Sequence, residues 1–191
     1  MIKKAMVTVL IAFSAVLLTT DYLLMQKDMD PNFLALEMTD LESKLPYCDY
    51  REGSVSKVSV AWHIDHSLKV INRITDSLRS SNAKDYRYTP NPLRTLVFAT
   101  GKMRRGKGRA PEVVLPPDTI KMNDLLTQWE DAKQNLRFLD SVDQQSHFRH
   151  PVFGVLNLKA SKRFIAIHTG HHLEIIKDII KVRERITNYK N

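Results

Sequence analysis

The chain of 191 residues carries 29 Lys and Arg against 21 Asp and Glu, a net charge of +8, with 43% apolar residues and one cysteine. Length and apolar content suit one globular domain plus a short extra segment and exclude global disorder. A single cysteine excludes an internal disulfide and any cysteine-based zinc cluster, and the positive charge invites a nucleic-acid reading that motifs must support.

Lys3 and Lys4 precede an uncharged run over residues 5–20, AMVTVLIAFSAVLLTT, and Tyr22-Leu23-Leu24-Met25 prolongs it past Asp21. The run is long for a signal-peptide core, and counted to Met25 it reaches about 21 residues, the length of a membrane span. No small-x-small cleavage site ends it convincingly, and no cysteine follows for lipidation. Residues 1–26 are therefore expected to form an uncleaved signal anchor, with Asp21 near the outer interface. A cleaved signal peptide and an ordinary buried helix are the alternatives. The two leading lysines favour the amino terminus inside and the domain outside the cytoplasm; the buried-helix alternative leaves the protein cytoplasmic.

Residues 27–191 read as one helical domain. Asp30-Pro31 is a helix start, and Leu34, Met38, Leu41 and Leu45 form a stripe that Pro46 ends. Residues 47–56 read as loop. The spacing predicts a long helix over 57–80, with Val60, Ile64, Ile71, Ile74 and Leu78 on its apolar side. Residues 81–92 are loop by composition, 93–103 a short helix, and 104–118 an extended connection punctuated by Pro and Gly. Residues 119–142 carry the cleanest stripe: Met122, Leu125, Trp129, Ala132, Leu136 and Leu139. A polar loop, DQQSHFRHP, leads through Val152-Phe153-Gly154 to a last helix over 158–186. No strand pattern stands out. The expected fold is all-α, an antiparallel four-helix bundle with an N-terminal hydrophobic helix.

The last helix holds the most informative pattern. Phe164, His168, His172, Ile175, Ile179, Val182 and Ile186 fall on one face at spacings of three and four. His168 and His172, at i and i+4, project from the same side and can share one metal ion. Neutral imidazole is a common ligand for Zn, Ni and Fe(II), and a third ligand must then come from a facing helix. Trp62-His63-Ile64-Asp65-His66 supplies the candidates. Periodicity alone leaves His63 and His66 both open. His171 points about 100° away from His172, which suits a solvent-facing or supporting role.

Taken together, Ser59-Val60-Ala61-Trp62-His63-Ile64-Asp65-His66 and His168-Thr169-Gly170-His171-His172-Leu173-Glu174-Ile175-Ile176 resemble the DinB/YfiT-like superfamily of metal-binding four-helix bundles. His150-Pro151-Val152-Phe153-Gly154-Val155-Leu156 is similar to an uncharacterised branch of it, and the likeness covers about 45–187. The resemblance implies a divalent metal held by one histidine of the second bundle helix and a His-x-x-x-His pair of the last. Aligned on Ser59-Val60, the ligands are His66, His168 and His172, with His63 as the substitute. It also implies a metal-dependent hydrolase or a thiol-dependent transferase acting on a small molecule. The alternative is a non-catalytic metal-binding or envelope interaction domain. The metal is Zn, Ni or Fe, and the reading leaves a homodimer open. Asp65 and Glu174 flank the histidines and read as solvated carboxylates or as proton-handling groups.

Other signals read as structural. Gly101-Lys102-Met103-Arg104-Arg105-Gly106-Lys107-Gly108 mimics a phosphate loop, but Gly108 stands where Ser or Thr would hold magnesium and no strand precedes it. The same stretch through Arg109 concentrates five basic residues in eight positions without interleaved aromatics, so no nucleic-acid partner is expected; anionic lipid is the more accessible one. Cys48 reads as inert, Trp129 as core, Trp62 as core or pocket wall, and His147 and His150 as loop capping residues.

Overall fold

The computed structural model describes residues 2–30, 32–106 and 108–188. Pro31 and Lys107 lie outside the described residues. Among those described there are six α-helices and one two-stranded sheet: α1 Ile2–Gln26, α2 Ala35–Glu42, α3 Val60–Ser80, α4 Pro92–Thr100, α5 Met122–Phe138, β1 His147–His150, β2 Gly154–Asn157 and α6 Leu158–Asn188. The chain is mostly helical, as the periodicity predicts.

α3 is the central element because its apolar stripe is broad. Val60, Ile64, Leu68, Ile71, Ile74 and Leu78 are all buried, and they pack against Leu125, Trp129 and Ala132 of α5 and against α6. The start of α3 is fixed three ways. Ser59 Oγ accepts from the Trp62 amide at 3.2 Å, and the amides of Val60 and Ala61 reach back to the carbonyls of Tyr50 and Cys48 at 3.0 and 3.1 Å. Those contacts satisfy donors that a helix cannot satisfy itself. They also fix the phase of α3, and so the face on which its histidines emerge.

Helix boundaries differ from the sequence expectation where side chains intervene. α2 begins at Ala35 because Asp30 Oδ1 accepts from the Asn32 amide at 2.7 Å and holds a turn ahead of it. α4 stops at Thr100 because Gly101 caps it with φ +65°, a left-handed conformation suited to glycine. That role accounts for the first glycine of the phosphate-loop mimic.

The polar loop before the last helix is a β-hairpin instead, pairing His147 with Asn157 and His150 with Gly154. Two strands of four residues are too short for alternation to stand out in the sequence. Gly154 turns back with φ +74°, and its α-carbon faces Thr89 Oγ1 so closely that a Cβ would sit 3.3 Å from it. His150 Nδ1 accepts from the amides of Val152 and Phe153, both at 3.1 Å, so the capping role expected of it is present. Its ring stacks on Phe153 at 4.6 Å. β2 runs directly into α6, where Asn157 Oδ1 caps the Ala160 amide at 3.0 Å.

α1 is long and apolar enough over Ala5–Gln26, 22 residues with mean hydropathy 1.9, to be a membrane anchor or a signal sequence. Residues 5–16 are exposed, but the last third packs on α4 and α6. Asp21, expected at an exposed interface, is buried at 1% exposure against Arg94, which is fully buried. The two form a doubly hydrogen-bonded ion pair. Asp21 also accepts from the hydroxyls of Tyr88 at 2.7 Å and Thr95 at 2.8 Å and from the Asn91 amide at 3.2 Å. Arg94 donates onward to the carbonyls of Thr89 at 2.8 Å and Phe153 at 3.0 Å. The desolvation of two ions is offset here by saturating nearly every donor and acceptor they own.

Removing one partner leaves the other charged and buried. Asp21→Asn is expected to destabilise the fold by about 3–5 kcal/mol in a urea titration, and Asp21→Asn with Arg94→Met to recover part of that loss. Additive or greater loss in the double variant would contradict the pairing. A second prediction concerns acid. Burial pushes the His150 imidazole from its ordinary 6.5 down to about 4. Above pH 6.5 the ring is neutral folded or unfolded; between about 6.5 and 4 only the unfolded chain takes up the proton. Stability therefore falls as pH drops through that window, and His150→Gln should make the fall shallower by denaturant midpoint.

Candidate metal centre

The site is built where α3 crosses α6. On α3, the phase set by Ser59 buries both His63 and His66; on α6, Asn157 starts the helix so that His168 and His172 face them. Three buried histidines, His66, His168 and His172, each offer one ring nitrogen within 4.8 Å of the others, close enough to hold a metal ion. Their ring centroids lie 5.0 Å (His66–His168), 4.9 Å (His66–His172) and 4.5 Å (His168–His172) apart. The sequence left His63 and His66 open, and the geometry puts His66 in the cluster.

His63 has a different place. Its Nδ1 lies 2.8 Å from His172 Nδ1, and its Nε2 lies 3.0 Å from Ser56 Oγ. One proton serves the first contact. With His172 as donor, His63 carries its own proton on Nε2, where Ser56 Oγ accepts it, and His172 Nε2 is left as a lone-pair nitrogen. His66 is held in the same fashion from another direction, its Nδ1 donating to the Val114 carbonyl at 2.8 Å. A metal-binding imidazole is commonly oriented by such a bond from its far nitrogen.

His168 supplies the test of fit. Its Nδ1 is buried and has no hydrogen-bond partner among the described residues. A buried polar atom without a partner is unusual and calls for an explanation such as an ion. All three donors are neutral nitrogens, a set that suits Zn, Ni or Fe(II).

Electrostatics keep the rings in the ligating form. Burial lowers His168 and His172 well below the ordinary histidine value, and each is pushed further by neighbouring histidines. Burial brings His63 down to about 4, with smaller contributions from His66, His171 and the Arg105 guanidinium. His66 is also lowered by burial, opposed by the Val114 carbonyl. Neutral imidazoles need lose no proton to bind an ion.

The surroundings sort the other candidates. Trp62 stacks on His66 at 4.9 Å and 27°, and so forms a wall of the site. His171 lies edge-on to His172 at 5.2 Å. Asp65 is buried but faces α5, paired with Lys69 at 2.6 Å and accepting from Gln128 at 2.8 Å. Glu174 is exposed. Burial, with Asp49 beside it, lifts the Cys48 thiol to about 11, so it stays protonated and inert. Two residues of the connection before α5 border this region: the Val114 carbonyl bonds His66, and Arg105 pairs with Asp178 of α6 at 2.7 Å. Sequence reasoning missed Val114 and Ser56. A backbone carbonyl leaves no mark in a sequence, and Ser56 sits in a loop seven residues before its partner.

The tautomers are testable in the metal-free protein. His66 should carry its proton on Nδ1 and His63 on Nε2, read from long-range nitrogen–proton NMR correlations. An Nε2 proton on His66 would break the arrangement.

Compared with known proteins, the chain matches no family model, no curated protein and no solved structure.

Proposed function

We propose that this chain binds a single divalent metal ion, Zn, Ni or Fe(II), through His66, His168 and His172 in a DinB-like bundle, and uses it in a hydrolase or transferase reaction on a small molecule. On the anchor reading of the two leading lysines, the domain lies outside the cytoplasm. The supporting observation is the convergence of three buried, neutral histidines, two of them braced from behind by Val114 and His63. Three protein ligands are the number that characterises catalytic rather than closed structural sites. A divalent ion held this way polarises a bound water or substrate oxygen. The chain's own residues do the rest: His63 and Ser56 fix the tautomer of His172, Val114 fixes that of His66, and Trp62 offers a flat apolar wall.

A second reading, a non-catalytic metal-binding domain, is favoured by one observation. His66, His168 and His172 are only 4%, 7% and 8% exposed, so the described side chains leave little of the cluster open to a substrate.

The experiment is metal content by elemental analysis of the chain of 191 residues in detergent. One divalent ion per chain is expected, lost in His168→Ala and His172→Ala at unchanged helicity. Retention of the ion in both variants refutes the site. His63→Ala should keep the ion but weaken its affinity by about 10–100-fold. Loss of bound ion without any effect on a small-molecule ester or thiol-transfer panel would favour the second reading.

A further inference from the structure

The apolar helix and the domain meet at a place that fixes where a bilayer can lie. Among the described residues Asp21 is the first buried one of α1, and the face of the helix that it shares with Met25 is committed to the domain: Met25 is 0% exposed, and Asp21 accepts from α4 and from the Tyr88 hydroxyl ahead of it. Removal of α1 as a signal peptide would leave Arg94 buried without its counter-charge. A segment that supplies the only carboxylate bonded to a buried guanidinium, among the described residues, is a structural part of the domain.

The length of α1 ahead of Asp21 is short. Residues 5–20, rising about 1.5 Å each, give a rod of about 24 Å, against a hydrocarbon core of about 30 Å. The docked corner can supply the apolar depth that is missing. That corner carries apolar side chains facing outward: Tyr22 and Leu23 of α1 are 48% and 62% exposed, Leu93 and Leu96 of α4 48% and 60%. Leu93 and Leu96 are three apart on α4, on one face, flanking the Arg94 and Thr95 that bind Asp21. The hairpin turn joins them, since Asn91 Nδ2 donates to the Val152 carbonyl at 2.9 Å and Val152 is itself 52% exposed. Tyr22 and Tyr88, edge to face at 5.5 Å, are the residue type that favours the headgroup layer.

We propose that α1 is retained as a membrane anchor clamped to the domain through Asp21 and Arg94, and that the α1–α4 corner, with Leu93, Leu96 and Val152 outermost, seats in the lipid interface. The occupant of this apolar patch is the bilayer that α1 enters, because the patch is continuous with the helix and makes up its shortfall in length. Local bilayer thinning is the competing way to absorb the mismatch. This proposal is independent of the histidine cluster.

The test uses the chain of 191 residues. Mass spectrometry of protein extracted from membranes should give the intact 22.0 kDa chain; a shorter chain lacking α1, or intact chain in the soluble fraction, overturns retention. Reconstituted in phosphatidylcholine vesicles containing brominated acyl chains, Leu96→Trp should be quenched well beyond the background of Trp62 and Trp129. Leu126→Trp, on the exposed face of α5, should not be. Equal quenching at both positions overturns the seating and leaves thinning as the answer. Asp21→Asn should reduce the quenching at position 96 if the clamp sets the depth, and unchanged quenching overturns that role of the clamp.

Discussion

The Asp21–Arg94 pair is the constraint on which the arrangement of the other elements depends. It joins the last third of an apolar helix to a nine-residue helix that is too short to dock on its own. The same guanidinium donates to backbone carbonyls of the hairpin, so three elements meet on one planar, multiply donating group. An ammonium could not replace it: Arg presents five donors in a fixed fork, and Nε and both terminal nitrogens are engaged here. Burying the pair is costly in isolation, and the cost is recovered because Asp21 accepts from two hydroxyls and an amide as well.

The histidine cluster solves a different problem with the same logic. Imidazoles on an apolar helix face are tolerated only if they are neutral and if their far nitrogens have partners. His66 finds a carbonyl, and His172 finds His63, which in turn finds Ser56. His168 has no such brace among the described residues: its buried Nδ1 is without a hydrogen-bond partner, and its ring lies 5.5 Å from that of Phe164. Burial of four rings in contact keeps a second proton off each of them at neutral pH, so the site does not rely on a deprotonation to accept an ion.

How much of this the sequence shows depends on how local the cause is. α3 and α6 are legible because their apolar stripes run for several turns, and His168 and His172 stand out as polar residues inside such a stripe. The choice between His63 and His66 is not legible by periodicity, since both are buried on α3 and what separates them is contact with loops at 56 and 114. The hairpin escapes because four-residue strands carry too few alternations. Asp21 misleads most. At the end of an apolar run a carboxylate reads as a residue at the water's edge, and its partner is 73 residues away in a helix with no charge pattern to announce it. Buried pairs between distant segments are the class of interaction that patterning cannot see.

The junction between β2 and α6 has no spacer: Asn157 ends the strand and Leu158 begins the helix. Arg94 grips the carbonyls of Phe153 and Val155 on that same hairpin while it holds Asp21. The direction of the apolar helix and the direction of the helix carrying His168 and His172 are therefore referenced to a single side chain. Turning α1 against the domain would turn the hairpin and, with it, the start of the helix that carries the two histidines.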